Sequence, residues 1–286
     1  MTSVFIFTVV APCILAILLA VALYFVAQKF KVVEDPRIDD VEKLLPGANC
    51  GGCGSAGCRA FAERCVQAKD MEGLFCPVGG NDAMKAIAAH LGRVAAEKAP
   101  MVAVLRCAGS PDKRPKINQY DGSASCGVAA SLYDGDTGCS YGCLSMGDCV
   151  DVCNFGALHM DAQTGLPVVD EGKCTACGAC VRKCPKGLFE LRNLGPKGRR
   201  VFISCRNCDK GAVAKKACSV ACIGCSKCAK VCSFEAISIE NNVGYIDFLK
   251  CKLCRKCVAE CPTGSILEVN FPPRKEAVAE EAASLI

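Results

Sequence analysis

Tryptophan is absent from this 286-residue chain, and histidine occurs only twice, at His90 and His159. Two histidines leave little room for histidine-ligated zinc or a serine-protease-like triad, and both read as ordinary structural or surface residues. Aromatic residues make up only 6 % and the net charge is +5. That balance is too mild, and too poor in stacking groups, for a nucleic-acid binder. No nucleophile–base pair, phosphate-cradling glycine loop, or flavin or nicotinamide fingerprint occurs. Long apolar runs are scarce as well: there is one, so the chain is not a channel or pump by itself. Cysteine is what the chain has in excess, 27 residues in all. A share this high belongs to disulfide scaffolds, zinc proteins or iron–sulfur proteins. The length and the odd count argue against disulfides.

The apolar run, Val4 to Ala27, holds 24 residues without a charge. As a helix it covers about 36 Å, enough for a hydrocarbon core of about 30 Å. Pro12 is tolerated in such a helix. The run is too long for a signal peptide and no basic residue precedes it. Lys29 and Lys31 follow, so the positive-inside rule puts the remaining chain in the cytoplasm, where thiols stay reduced.

The charged stretch Glu34 to Lys43 predicts a short helix. Then comes Leu45-Pro46-Gly47-Ala48-Asn49-Cys50-Gly51-Gly52-Cys53-Gly54-Ser55-Ala56-Gly57-Cys58, with Cys76-Pro77 beyond it. The C-x2-C-x4-C spacing on a glycine-rich loop lets three thiolates and a later fourth converge on one cubane cluster. A zinc knot is the alternative, although zinc usually takes two C-x2-C pairs. Cys65, on a predicted helix from Arg59 to Lys69, reads as a spare core cysteine. A further helix is predicted from Asn81 to Leu91.

The strongest signal follows. Cys174, Cys177, Cys180 and Cys184 before Pro185 have the spacing C-x2-C-x2-C-x3-C-P, and so do Cys251, Cys254, Cys257 and Cys261 before Pro262. Cys222, Cys225, Cys228 and Cys232 repeat it with Ser233 in place of proline. In this two-cluster ferredoxin pattern the fourth cysteine of each motif ligates the other cluster. One motif is damaged: Cys143, Cys149 and Cys153 are in place, but Met146 stands where a cysteine belongs. Cys139 is the nearest replacement, expected beside Cys143, Cys149 and Cys184.

The two halves align. Cys139, Cys143, Cys149 and Cys153 match Cys218, Cys222, Cys228 and Cys232 at an offset of 79, and the second motifs match at 77. Phe155 to Met160 parallels Phe234 to Ile239, a turn and an alternating strand. Pro167-Val168-Val169-Asp170 parallels Tyr245-Ile246-Asp247. Met101 to Cys107 and Arg200 to Cys205 both predict a strand ending in cysteine. The expected architecture is α+β: a single N-terminal transmembrane helix, a small helical iron–sulfur domain, then duplicated two-cluster ferredoxin-like units. Its boundaries are an anchor at 1–30, a 4Fe-4S domain at 31–95, ferredoxin-like units at 96–196 and 197–271, and a tail at 272–286. Five 4Fe-4S clusters are expected; with Cys139 in the damaged motif, Cys107, Cys126, Cys205, Cys208 and Cys218 are left over, and either four of them hold a sixth cluster or they are non-ligand cysteines of buried strands.

The anchor, the Leu45 to Gly54 loop with Cys58 and Cys76, and the ferredoxin motifs together make the chain resemble the B subunit of the Rnf complex, a membrane-bound ferredoxin:NAD⁺ oxidoreductase that drives Na⁺ or H⁺ pumping. It resembles the long form, with two ferredoxin units. The resemblance implies an electron-transfer subunit that accepts electrons from reduced ferredoxin, with the flavins, NAD site and ion path on other, partly integral subunits. The place implied is the inner membrane of a bacterium or archaeon, spanned once, with the soluble domains on the cytoplasmic side. A membrane-tethered polyferredoxin serving a hydrogenase or dehydrogenase is the second reading, and a zinc scaffold without redox chemistry the third. Between Val181 and Lys216 stand 11 Lys and Arg against Glu190 and Asp209. This is either a solvated face or a docking surface for an acidic ferredoxin. Electrons are then expected to enter at the C-terminal units and leave through the cluster of Cys50, whose glycines admit an integral partner.

Overall fold

The computed structural model describes residues 2–29, 34–132 and 135–273. Lys31, and all but two residues of the tail at 272–286, lie outside them. The apolar run forms one continuous helix, α1 (Thr2–Lys29), with Pro12 inside it. From Pro12 to Lys29 its side chains are exposed. Among the described residues it is the one helix long and apolar enough to cross a membrane. Apolar on all sides, it has the surface of a helix made for lipid or a partner helix.

Three helices follow: α2 (Arg37–Lys43), α3 (Cys58–Gln67) and α4 (Gly80–His90). Each falls within a few residues of its expected span. Their apolar residues recur at three- and four-residue steps, which lines them up on one face. Ile38, Val41, Phe61, Ala62, Cys65, Met84 and Ile87 thereby close a single core. Cys65 is wholly buried in it, and burial pushes its thiol up to about 11. Arg59 ties α3 to α2 through Asp39 at 3.0 Å and Glu42 at 2.9 Å. Asn81 and Lys98 exchange hydrogen bonds of 2.9 and 3.0 Å, which fixes the linker into the next region.

The remaining chain runs β1 (Met101–Leu105), α5 (Cys126–Leu132), α6 (Asp148–Asp151), β2 (Leu158–Met160), β3 (Pro167–Val169), α7 (Ala179–Lys183) and β4 (Phe189–Asn193). Then come β5 (Arg200–Ile203), α8 (Gly211–Ala217), α9 (Lys227–Lys230), β6 (Ile237–Glu240), β7 (Val243–Ile246), α10 (Lys256–Ala259) and β8 (Ile266–Val269). Among the described residues the sheets are antiparallel strand pairs: β1 with β4, β2 with β3, β5 with β8, and β6 with β7. In each half the outer strands pair around an inner hairpin, and a short helix follows each cysteine loop. Two-stranded sheets this short are marginal alone. They hold here because the halves share buried contacts. Val102 and Val104 of β1 pack with Phe202 of β5. Arg106, just past β1, donates to the carbonyls of Ile203, Cys205 and Gly244 at 3.1, 3.1 and 3.2 Å. Glu171 receives Arg200 and, at 2.9 Å, Asn270.

Candidate metal centres

The glycine-rich loop is shaped by its own side chains. Asn49 adopts φ +46 and accepts from the Cys58 N–H at 2.7 Å, so it caps the start of α3. The loop bends back and brings Cys50, Cys53, Cys58 and Cys76 to the walls of one cavity. The Gly79 N–H points at the Cys76 sulfur, 3.4 Å away.

Three more cavities each have four cysteines in their walls. Cys222, Cys225, Cys228 and Cys261 line one, closed by Ile203, Ile239 and Ile266. Cys232, Cys251, Cys254 and Cys257 line another. The fourth cysteine of each motif thus reaches across to its neighbour's group. Burial pushes the Cys228 thiol up to about 11, and the thiols of Cys222, Cys225 and Cys261 push the same way. The same cause drives Cys257 up to about 12.

The fourth such cavity is the damaged motif's. Its cysteines are Cys143, Cys149, Cys184 and Cys126, with Leu105, Leu144 and Phe189 around them. The wall position expected for Cys139 is therefore taken by Cys126. Its physical reason is Asp148, the residue before Cys149. The Asp148 carboxylate accepts from the Cys126 N–H at 2.8 Å, the Gly127 N–H at 3.2 Å and the Ser125 hydroxyl at 3.0 Å. It anchors the start of α5 beside α6. Burial raises the Cys149 thiol to about 12, with Cys143, Cys126 and Cys184 adding to the effect.

Cys153, Cys174, Cys177 and Cys180 form a fifth group. Cys180 is buried, which raises its thiol to about 12, and the other three thiols push it further up. These donor sets suit iron–sulfur clusters: four thiols, aliphatic walls, and backbone N–H groups aimed at sulfur, as the Leu188 and Gly244 N–H groups are at Cys184 and Cys222, each 3.4 Å away.

The comparisons with known proteins agree in kind. An Fe-S cluster family model matches residues 45–73, and a 4Fe-4S dicluster domain model matches twice, at 137–188 and 221–265. The B subunit of the Na⁺-translocating ferredoxin:NAD⁺ oxidoreductase complex of Acetobacterium woodii is 41 % identical over 88 % of this chain and 74 % of its own. The B subunit of the ion-translocating oxidoreductase complex of Methanosarcina acetivorans is 41 % identical over 93 % of this chain and 99 % of its own. Its counterpart in the proton-translocating ferredoxin:NAD⁺ oxidoreductase complex of Clostridium ljungdahlii is 39 % identical over 90 % of each. The chain belongs to this family of B subunits.

Two features of this family member depart from its sequence pattern. Cys139, Cys107 and Cys218 lie together, and Cys139 is not in the walls of the damaged motif's cavity. Cys139 is buried, which raises its thiol, and Cys107 acts on it and on Cys218 in the same direction. Asn207 donates its side-chain amide to the Cys139 sulfur and its backbone N–H to the Cys205 sulfur, both at 3.4 Å. Arg114 is buried in this group and donates to the Cys143 carbonyl at 2.6 Å, while its Nε has no hydrogen-bond partner among the described residues. The alignment of the halves pairs Cys139 with Cys218, and Cys107, Cys205 and Cys218 are candidates for a sixth cluster, but no spacing rule joins Cys139, Asn207 or Arg114 to them. The basic run is also smaller at the surface than its count. Arg192 and Arg200 are buried. Arg192 stacks over Phe202, Tyr245 and Phe248 and pairs with Glu190. His90 and His159 are exposed, as expected.

Proposed function

We propose that this chain is the electron-transfer subunit of a membrane-bound, ion-translocating ferredoxin:NAD⁺ oxidoreductase, taking electrons from reduced ferredoxin and passing them toward integral and flavin- or NAD-bearing partner subunits. When bound, 4Fe-4S clusters supply one-electron chemistry, and the protein's task is to hold them in sequence. Five ligand sets are proposed: Cys50, Cys53, Cys58 and Cys76; Cys126, Cys143, Cys149 and Cys184; Cys153, Cys174, Cys177 and Cys180; Cys222, Cys225, Cys228 and Cys261; and Cys232, Cys251, Cys254 and Cys257. The cavities walled by four cysteines each carry this reading. In the second set Cys126 replaces Cys139.

A sixth set is Cys107, Cys139, Cys205 and Cys218. In its favour, Cys107 and Cys205 follow equivalent strands of the two halves, and Cys139 and Cys218 match in their alignment. A buried guanidinium, Arg114, stands ready for the negative charge of four thiolates. Cys107 also acts on Cys143, and Cys205 on Cys222. The sixth set would thus bridge the two ferredoxin-like units. The domain boundaries, the duplication, a single span by α1 and a cytoplasmic position for the soluble part belong to the same reading. Entry at the second unit and exit at the Cys50 site follow from the order of the sites.

Iron and acid-labile sulfide on anaerobically purified full chain test it. Six sets require about 24 iron atoms per chain, five about 20. A content of about 12 or below refutes the duplicated arrangement. Additivity identifies the sets. Cys126→Ser combined with Cys143→Ser should lose no more iron than Cys143→Ser alone. Cys139→Ser combined with Cys143→Ser should lose about eight irons. The reverse pattern would return Cys139 to the damaged motif.

A further inference from the structure

The first cysteine loop does not end in open solvent. Its Gly52 lies against the loop of Cys177. A Cβ built at Gly52 would stand 2.9 Å from the Cys177 carbonyl oxygen, 3.1 Å from the Cys177 Cα and 2.8 Å from the Pro77 ring. Two of those atoms are backbone and cannot swing aside. The φ of Gly52 is outside the left-handed region that Gly51 and Gly54 occupy. Glycine is therefore required there for close approach and not for its backbone conformation.

A second, independent observation lies at the same seam. The Arg182 guanidinium donates to the Cys177 carbonyl at 3.2 Å through Nη1 and to the Cys50 carbonyl at 3.4 Å through Nη2. Arg182 stands in the last turn of α7, so a helix of the first ferredoxin-like region holds the loop of the N-terminal region. Its planar fork can span two carbonyls at once, which a lysine ammonium cannot do in the same geometry. Both carbonyls belong to proposed cluster ligands.

We infer that Gly52 and Arg182 are positioning residues that hold the Cys50–Cys58 loop against the Cys174–Cys180 loop, making this seam the junction for electron transfer between the N-terminal site and the rest of the chain. This rests on the proposed ligand sets. It also changes the use of the loop's glycines: Gly52 admits a loop of its own chain, and an integral partner must approach the N-terminal site from another side.

The test uses the full chain, purified anaerobically in detergent, as wild type, Gly52→Ala, Gly52→Val, Arg182→Gln and Arg182→Lys. Iron per chain comes first, since none of the variants removes a thiol, and it should be unchanged. Under dithionite reduction, the spin–spin broadening between the two adjacent paramagnetic centres should weaken in Gly52→Ala and vanish in Gly52→Val. Arg182→Gln should weaken it with glycine still at 52. Amide exchange in 50–57 and 174–178 should rise together by about tenfold in Gly52→Val, because a shared contact opens as a unit. Arg182→Lys should not restore the wild-type exchange. Wild-type broadening and exchange in both Gly52→Val and Arg182→Gln would overturn the junction. If Gly52→Val loses iron, Arg182→Gln decides by the same two readouts. A wild-type chain without bound iron would refute the ligand sets, and exchange alone would then decide the contact.

Discussion

At the scale of single residues, the chain separates cysteines that face a cavity from one that fills a core. Cys65 lies on α3 with no exposure, packed with Phe61, Val66 and Met84. It is missing from the walls of the neighbouring four-cysteine cavity. Its thiol is held protonated by burial, so it should be inert to alkylating reagents while the fold is intact. Cys65→Ala removes one sulfur from a tight core and should cost about 1–2 kcal/mol. Iron content should not change, and thermal unfolding should report the loss of stability. Loss of about four irons would instead make Cys65 a ligand. Cys126 is the opposite case. Its spacing from Cys143 resembles no motif, and the residue that places it, Asp148, carries no mark in the sequence beyond its position beside Cys149. The intact motifs are legible because most of their cysteines lie within one loop. Cys126 is not, because its place depends on how residues 107 to 142 return to α6.

At the scale of elements, buried guanidinium groups join the two halves. Arg106 reaches three carbonyls of the second half and stacks over Tyr245. Burial lowers its pKa, with Glu190 opposing that shift. Arg106→Met would remove a costly buried charge but leave three carbonyls without their donor. The second effect should dominate, with a net loss of about 2–4 kcal/mol. Denaturant unfolding of the holoprotein measures it, and exchange should rise along β5 and β7 together. An unchanged midpoint would show that the Phe202 contacts and the Glu171 link hold the halves without Arg106. Glu171 adds a pH-sensitive link. Arg200 keeps its carboxyl below the usual 4.5, so its contribution is present above that pH and is lost as pH falls through the lowered value. The paired strands show how far local pattern reaches. β1, β5 and the inner hairpins announce themselves by β-branched runs and alternation. Their partners β4 and β8 are strands because of long-range pairing, and Arg192 within β4 looks like part of a charged face until the aromatic box encloses it.

At the scale of the whole molecule, the proposed sites form a series with unlike ends. The Cys50 site belongs to the helical region that follows α1 in the chain. At the other end, Cys254 is among the few exposed cysteines outside α1, and Lys250, Lys252 and Lys256 around it are exposed as well. Arg255 contributes less, since it is half-buried and paired twice with Glu268 at 2.6 Å. A negatively charged electron donor would be steered to this end, where a proposed ligand reaches the surface. Lys250→Glu with Lys256→Glu reverses that field without touching a thiol. Reduction of the chain by an acidic ferredoxin should slow by about tenfold at low salt. The difference from wild type should close as salt shortens the Debye length below about 10 Å. Iron content and dithionite reduction should stay at wild-type levels, which separates docking from cluster loss. The same reversal at Lys215 and Lys216, on α8, serves as the comparison. If that pair slows the reaction and the Lys250 pair does not, the donor enters beside α8, and the series of sites is filled from its middle instead of its end.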